Sequence, residues 1–347
     1  MISDKKIRIH IKNNRWKEGS AEERSFPNTP EGEEVFSITK ERFEKALSNF
    51  PKLIENIDTF IDWDEDNFIK SMASTDVLLT WNLPTSNLGQ IAPNLRWIHC
   101  IAAGVEHLLP LNWLPDKTVL TNNKGVHAKK AGEYGLMTIL MLHNHFPQML
   151  NNQKNKLYKS VYGTPIAGQT VVIIGTGSLG GSVADLLEPL GPNIIGVNRT
   201  GKNVKGCAKV VSVDKLDEVL PAADILYVAL PETPETVEII DRRRLNLLKK
   251  SCGIINVGRQ SAIDYVSLCE MLENKNIAGA VLDVFSPEPI AQNSYLWKVS
   301  NLIITPHVSA DDGNSYVSHT LNLFFRNLEN FIMEKPLINI INKDFGY

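Results

Sequence analysis

The chain has 347 residues, of which 43% are apolar and 22% charged, and a formal net charge of −3 from 36 basic and 39 acidic residues. The composition is close to that of ordinary globular domains, and the length suits two of them at roughly 100–200 residues each. A disordered, collagenous or heptad-dominated chain is excluded, and no excess of one charge sign supports general binding to nucleic acid or to a membrane surface.

Near the start, Ile7-Arg8-Ile9-His10-Ile11 alternates as a strand does, with no apolar leader before it. Residues 22–35, with Pro27, Pro30 and Gly32, read as a loop. Thr39 is placed to cap a helix over about 40–49, with Glu41 in its first turn. Asp76–Thr80 and Leu95–Cys100 are strand candidates. Residues 127–150 form the longest helical stretch, apolar around much of its circumference, so it is expected to be buried, against a second copy if its own chain does not cover it. A polar stretch, 151–163, follows. Then Val171–Ile174, Ile194–Val197, Ile225–Leu230, Gly253–Val257, Gly279–Leu282 and Leu302–Thr305 read as strands with helices between them, the pattern of a doubly wound parallel sheet. No apolar run approaches the ~18 residues of a membrane span. Cys100, Cys207, Cys252 and Cys269 stand far apart, without the Cys-x-x-Cys pairing of a zinc site; no metal is expected, and the thiols are expected to be reduced in a cytoplasmic protein.

The chemistry gathers in the second half. Gly175-Thr176-Gly177-Ser178-Leu179-Gly180 falls between a strand and a helix. There the first glycine permits a tight turn, the second lets the backbone approach a pyrophosphate, and the third lets helix and strand pack closely. The helix N-terminus adds unpaired N–H groups for the phosphates. The next strand ends in Asn198-Arg199-Thr200 rather than the acid that binds a free ribose 2′-hydroxyl. An arginine there favours a 2′-phosphate, so NADP(H) is the expected cofactor, with NAD(H) as a second possibility. Three more strand ends carry Arg259, Asp283 with Glu288 beyond it, and His307. Together Arg, Glu and His suit reduction of a 2-oxo acid. Arginine holds carboxylate and carbonyl oxygen, histidine donates a proton, and the glutamate raises the histidine's pKa. His10, His99, His143, His145 and His319 read as structural, and His107 and His127 receive no role.

At these residues the chain resembles the D-isomer-specific 2-hydroxyacid dehydrogenases. The resemblance is carried by Ala102-Ala103-Gly104-Val105-Glu106, the Gly175–Gly180 turn, Leu230-Pro231-Glu232-Thr233-Pro234-Glu235-Thr236, Asn256 with Arg259, Leu282–Phe285 with Glu288-Pro289, and Thr305-Pro306-His307. It implies two Rossmann/flavodoxin-like doubly wound domains with a cleft between them. The substrate domain would comprise 1–122 completed by 310–347, and the dinucleotide domain 123–309. It also implies catalysis by Arg259, Glu288 and His307, a substrate carboxylate held by the backbone at Ala103, Gly104 and Val105, and Leu230, Pro231 and Asp283 beside the cofactor. A homodimer through the helix near 127–150 follows from the same likeness. Arg199-Thr200 is similar to the NADPH-preferring glyoxylate and hydroxypyruvate reductases. Phosphite or formate oxidation on the same fold is an alternative, although the formate enzymes carry Gln where Glu288 stands. A nucleotide-sensing corepressor is another. Three features depart from the family pattern: Gln260 after the arginine, Gly191-Pro192, and the acidic Ser309-Ala310-Asp311-Asp312.

Overall fold

The computed structural model describes residues 6–18, 26–27, 29–343 and 346. The polar start at 1–5 and, within the stretch read as a loop, residues 22–25 and 28 lie outside them. The chain divides into two compact units, Met1–Val126 with Asp312–Tyr347, and His127–Asp311.

The first unit holds β1 (Ile7–Asn13), β2 (Ile57–Trp63), β3 (Val77–Thr80), β4 (Trp97–Cys100) and β5 (Val119–Thr121), in the order β2-β1-β3-β4-β5. All its neighbouring strands pair in parallel, the flavodoxin-like arrangement. On one face Ile9, Ile11, Leu79 and Trp97 pack against Phe324, Phe325 and Leu328 of a long helix, Tyr316–Ile332. The Trp97 and Phe324 rings stack with centroids 5.0 Å apart.

The second unit holds β6 (Thr170–Ile174), β7 (Asn193–Asn198), β8 (Lys209–Ser212), β9 (Ile225–Val228), β10 (Gly253–Asn256), β11 (Gly279–Leu282) and β12 (Leu302–Ile304). Their order is β12-β11-β10-β9-β6-β7-β8, again all parallel. The four residues of each of β9, β10 and β11 are buried, as continuous apolar runs covered on both faces must be. Chain direction across the sheet reverses between β6 and β9, where such sheets bind ligands.

Local structure differs from the sequence reading in three places. Within 22–35, Pro30–Phe36 is a helix. Thr29 caps it by accepting from the Gly32 N–H, and Pro30 begins it where a missing N–H costs nothing. The stretch 127–150 is two helices, Ala128–His143 and Phe146–Lys154, broken by His145 at φ 56° and by Pro147. The first buries Ala131, Gly132, Tyr134, Gly135, Thr138, Ile139 and Leu142 but leaves Met137 exposed, so its burial is one-sided. Finally β2, β5 and β8 were not among the strand candidates; they are short or lie at sheet edges.

Candidate active site

Because every strand of the second sheet runs the same way, the segments after β6, β7, β9, β10, β11 and β12 emerge at one edge. The turn after β6 is built as its glycines require. Gly175 has φ 91°, and a Cβ on it would stand 2.4 Å from the Ala229 carbonyl oxygen; one on Gly180 would stand 2.2 Å from that of Gly175. Gly177 is exposed, with nothing within 4 Å of where its Cβ would be. Its lack of a side chain therefore serves no packing inside the protein and leaves the space a phosphate needs. The helix Ser178–Leu187 starts there without a side-chain cap, so its first N–H groups remain for a ligand. This turn fits a dinucleotide pyrophosphate.

Asn198, at the end of β7, commits its whole amide to the loop it begins. Nδ2 donates to Thr176 Oγ1 at 3.0 Å and to the Lys202 carbonyl at 2.9 Å, while Oδ1 accepts from the N–H groups of Thr200 (3.2 Å) and Gly201 (2.7 Å). It thereby ties the loop to the glycine turn and presents Arg199 and Thr200, both exposed. Glu235, in the segment after β9, lies near enough to Arg199 for that cation to help hold its carboxyl low, after its own backbone and Thr233. Leu230 is half-buried and Pro231 exposed.

After β10, the buried Asn256 shapes the arginine loop. Its Nδ2 donates to the Arg259 carbonyl (3.0 Å) and to the Tyr265 hydroxyl (3.0 Å), and its Oδ1 accepts from the Gly258 N–H (3.1 Å). The Tyr265 hydroxyl donates onward to the Val284 carbonyl at 2.9 Å, joining this loop to the one after β11.

After β12, His307 sits at φ 54°, a left-handed conformation that a non-glycine residue keeps only when its surroundings enforce it. Asp283 supplies that enforcement. Fully buried, it accepts from the N–H groups of Val308 and Ser309, each at 3.0 Å, and from Thr305 Oγ1 at 2.6 Å. Thr305 in turn accepts from the Tyr134 hydroxyl at 2.7 Å. The sequence reading set Asp283 beside the cofactor; its carboxylate here holds the backbone that carries the histidine. His307 Nδ1 meets Glu288 Oε2 at 2.8 Å, and Glu288 Oε1 accepts from the Phe285 N–H at 2.7 Å. Burial pushes the imidazole toward neutrality, but the hydrogen bond and charge of Glu288 outweigh it, so the His307 pKa is raised despite the opposing Arg259. With Nδ1 donating to Glu288, Nε2 is the nitrogen that carries an exchangeable proton. Burial also raises Asp311 to about 6, with His307 opposing and Asp283 reinforcing the shift.

In the first unit, Ala103, Gly104 and Val105 follow β4. Ala103 is exposed and Gly104 half-buried, whereas the Val105 side chain is buried in the core and contributes backbone alone to the surface. The second unit thus brings Arg259, Glu288 and His307 to one sheet edge with the glycine turn and Arg199. Of the supporting residues, Asn256 and Thr305 fall in marked motifs, whereas Tyr265 and Tyr134 have no signal in sequence.

Residues 136–309 match the family described as D-isomer specific 2-hydroxyacid dehydrogenase, NAD binding domain. Among curated relatives, the glyoxylate reductase of Aeropyrum pernix is 26% identical over 318 residues, 85% of this chain and 94% of its own. The D-3-phosphoglycerate dehydrogenase of Synechocystis is 28% identical over 240 residues, and the match spans 42% of that longer protein. Among solved structures, a D-isomer specific 2-hydroxyacid dehydrogenase from Xanthobacter autotrophicus in complex with NADPH and MES superposes with a TM-score of 0.80 at 22% identity, covering 99% of this chain and 100% of that one. An NADPH-dependent glyoxylate/hydroxypyruvate reductase from Sinorhizobium meliloti in complex with NADP and sulfate has a TM-score of 0.78 at 24% identity, covering 99% and 100%. At these identities the two structures speak for the fold.

Proposed function

This chain belongs to the D-isomer-specific 2-hydroxyacid dehydrogenase family, and from that we infer that it reduces a small 2-oxo acid of the glyoxylate or hydroxypyruvate type to the D-2-hydroxy acid, using NADPH. The observation that carries the reading is the His307–Glu288 pair at 2.8 Å, on the sheet edge that also bears Arg259 and the phosphate turn. The nicotinamide, when bound, supplies the hydride. Arg259 holds the substrate carboxylate and polarises its carbonyl oxygen through a planar fork of donors. His307, its pKa raised by Glu288, gives its Nε2 proton to that oxygen as charge develops on it. The family likeness that supports Arg259 and His307 also gives the backbone N–H groups of Ala103, Gly104 and Val105, in the first unit, a carboxylate-binding role.

Arg199 supports NADPH over NADH: it stands exposed on a loop that Asn198 fixes, at a strand end without an acid. The substrate class draws its support from the glyoxylate reductases among the relatives and from the Arg259 and His307 chemistry. NADPH oxidation with glyoxylate, hydroxypyruvate and phenylpyruvate tests it; no turnover with any of them refutes it. The protein is also proposed to be a homodimer. Met137, Phe146, Met149, Leu150, Leu157, Tyr158 and Tyr162 all expose large apolar surfaces on or just after the helices of 127–154. Light scattering that gives a particle near the 38.7 kDa chain mass at micromolar concentration refutes the dimer.

A further inference from the structure

Asn122 and Asn123 follow β5 directly and have no part in the roles assigned so far. Both face the turn after β4. The Ile101 carbonyl accepts from Asn123 Nδ2 at 2.6 Å and from the Tyr316 hydroxyl at 2.7 Å. The Ala102 carbonyl accepts from the Asn123 N–H at 2.9 Å, and the Ala103 carbonyl from Asn122 Nδ2 at 2.5 Å. Three consecutive carbonyls are therefore drawn inward. A peptide unit is planar and trans, so its N–H points away from its C=O. Fixing the carbonyls of Ala102 and Ala103 in this way turns the N–H groups of Ala103 and Gly104 outward. Among the described residues those two N–H groups, and that of Val105, donate to no other group.

Asn123 is itself set by a chain of hydrogen bonds running out of the sheet. Trp97 Nε1 donates to Thr121 Oγ1 at 2.8 Å, which leaves the threonine proton for His99 Nδ1, also at 2.8 Å. His99 then carries its hydrogen on Nε2 and donates to Asn123 Oδ1 at 3.0 Å. Burial, only partly offset by Asn123, lowers His99 to about 4, so the neutral tautomer this chain needs is the one present at neutral pH. With Oδ1 accepting, Asn123 Nδ2 has both protons to give, to the Ile101 carbonyl and to Thr320 Oγ1 at 2.7 Å. Asn122 Oδ1 is likewise fixed by the Lys124 N–H at 3.1 Å.

We propose that Asn122 and Asn123 are positioning residues that aim the backbone donors of Ala103 and Gly104 at the substrate carboxylate, Asn122 by holding the Ala103 peptide and Asn123 by holding the two before it. This rests on the reading of Ala103–Val105 as the carboxylate-holding loop. Asn123 lies deep in the network and its replacement perturbs folding, so the test falls on Asn122.

In Asn122→Asp the acceptor for the Lys124 N–H is kept, but the donor is lost and an anionic oxygen faces the Ala103 carbonyl. At about pH 8 the KM for glyoxylate is expected to rise about tenfold, the worth of one charge-assisted hydrogen bond at the low end of its range. The kcat should stay within about twofold, because carboxylate holding serves ground and transition states alike. NADPH affinity should not change, and melting curves at each pH separate the KM effect from the destabilisation that a buried carboxylate brings. Toward pH 5 the introduced carboxyl takes up a proton and can donate again, so the KM ratio of variant to wild type should fall toward one. A ratio near one at pH 8, or a raised ratio that ignores pH, overturns the proposal. The backbone is read separately by NMR: the amide resonances of Ala103 and Gly104 should move in the variant, and unmoved resonances also overturn it. A wild-type enzyme inert toward glyoxylate, hydroxypyruvate and phenylpyruvate would instead sink the functional reading, whatever the resonances do.

Discussion

Replacing Glu288 by Gln removes a charge from the imidazole of His307 while nearly preserving shape. His307 is raised above the ordinary histidine value, and Glu288 is the main reason. Reduction needs the protonated imidazole, so the rate falls as pH rises through its pKa, and that fall should come earlier in the variant. Two limits bound the displacement. Unit charges about 4 Å apart interact by about 4 kcal/mol at an effective dielectric constant near 20, whereas exposed pairs are worth about 0.2–1 kcal/mol. The His307 side chain is 47% exposed and that of Glu288 25%, which places the pair toward the weaker limit. The pair is therefore worth about 1 kcal/mol, and the fall moves to lower pH in the variant. The variant should retain roughly a fifth of wild-type kcat/KM above both midpoints and approach wild type well below them. The assay is the pH dependence of kcat/KM for NADPH oxidation, measured from about pH 5 to 9. The single carbonyl oxygen of Gln cannot serve both His307 and the Phe285 N–H, as the two carboxylate oxygens do; a melting curve of the variant controls for that loss. An alkaline limb at the same pH in both enzymes, or an equal loss at every pH, would refute the electrostatic role.

Arg259→Lys should lower kcat/KM by about 10–100-fold, because an ammonium cannot reproduce two parallel bonds, each charge-assisted bond being worth about 1.5–3 kcal/mol; steady-state kinetics within twofold of wild type would remove Arg259 from the site. Arg199→Ala should weaken NADPH by about the same factor and leave NADH nearly unchanged, read by fluorescence titration of each; equal weakening of both would mean that Arg199 supports the loop or the adenine. For Asp311, raised to about 6, the folded state binds more protons than the unfolded one between about pH 4 and 6, so its contribution to stability falls as pH rises through that window. Asp311→Asn should therefore gain up to about 2–3 kcal/mol over wild type at pH 7.5 and little at pH 4, which melting curves at the two pH values check.

The second sheet was readable because its strands are central. Val171–Ile174, Ile225–Val228 and Gly279–Leu282 are continuous apolar runs, and each reactive residue stands just beyond such a run. The strands that went unread, Ile57–Trp63, Val119–Thr121 and Lys209–Ser212, are half-exposed, three residues long, or at an edge, so they lack that pattern. Pro30 and Gly32 hid a helix because both residues also mark turns, and only the Thr29 cap decides between the two. In the site, motif residues were legible but their supports were not. Tyr134 meets Thr305 across 171 positions and Asn123 meets Thr320 across 197, and nothing local announces such a pairing.

The helix Tyr316–Ile332 bears on the order in which the molecule can be completed during synthesis. The second unit is one uninterrupted stretch and has all its strands once Asp311 has been made. The first unit begins earlier yet finishes later. Its sheet lacks Phe324, Phe325 and Leu328 on one face, and β5 lacks its bridge from Thr121 to Ile340, until Ile340 has emerged. A chain stalled or clipped before Tyr316 would hold a finished dinucleotide-binding unit beside a sheet whose Ile9, Ile11 and Trp97 are bare. Such a product would be prone to aggregate through its N-terminal part while its glycine turn remained intact.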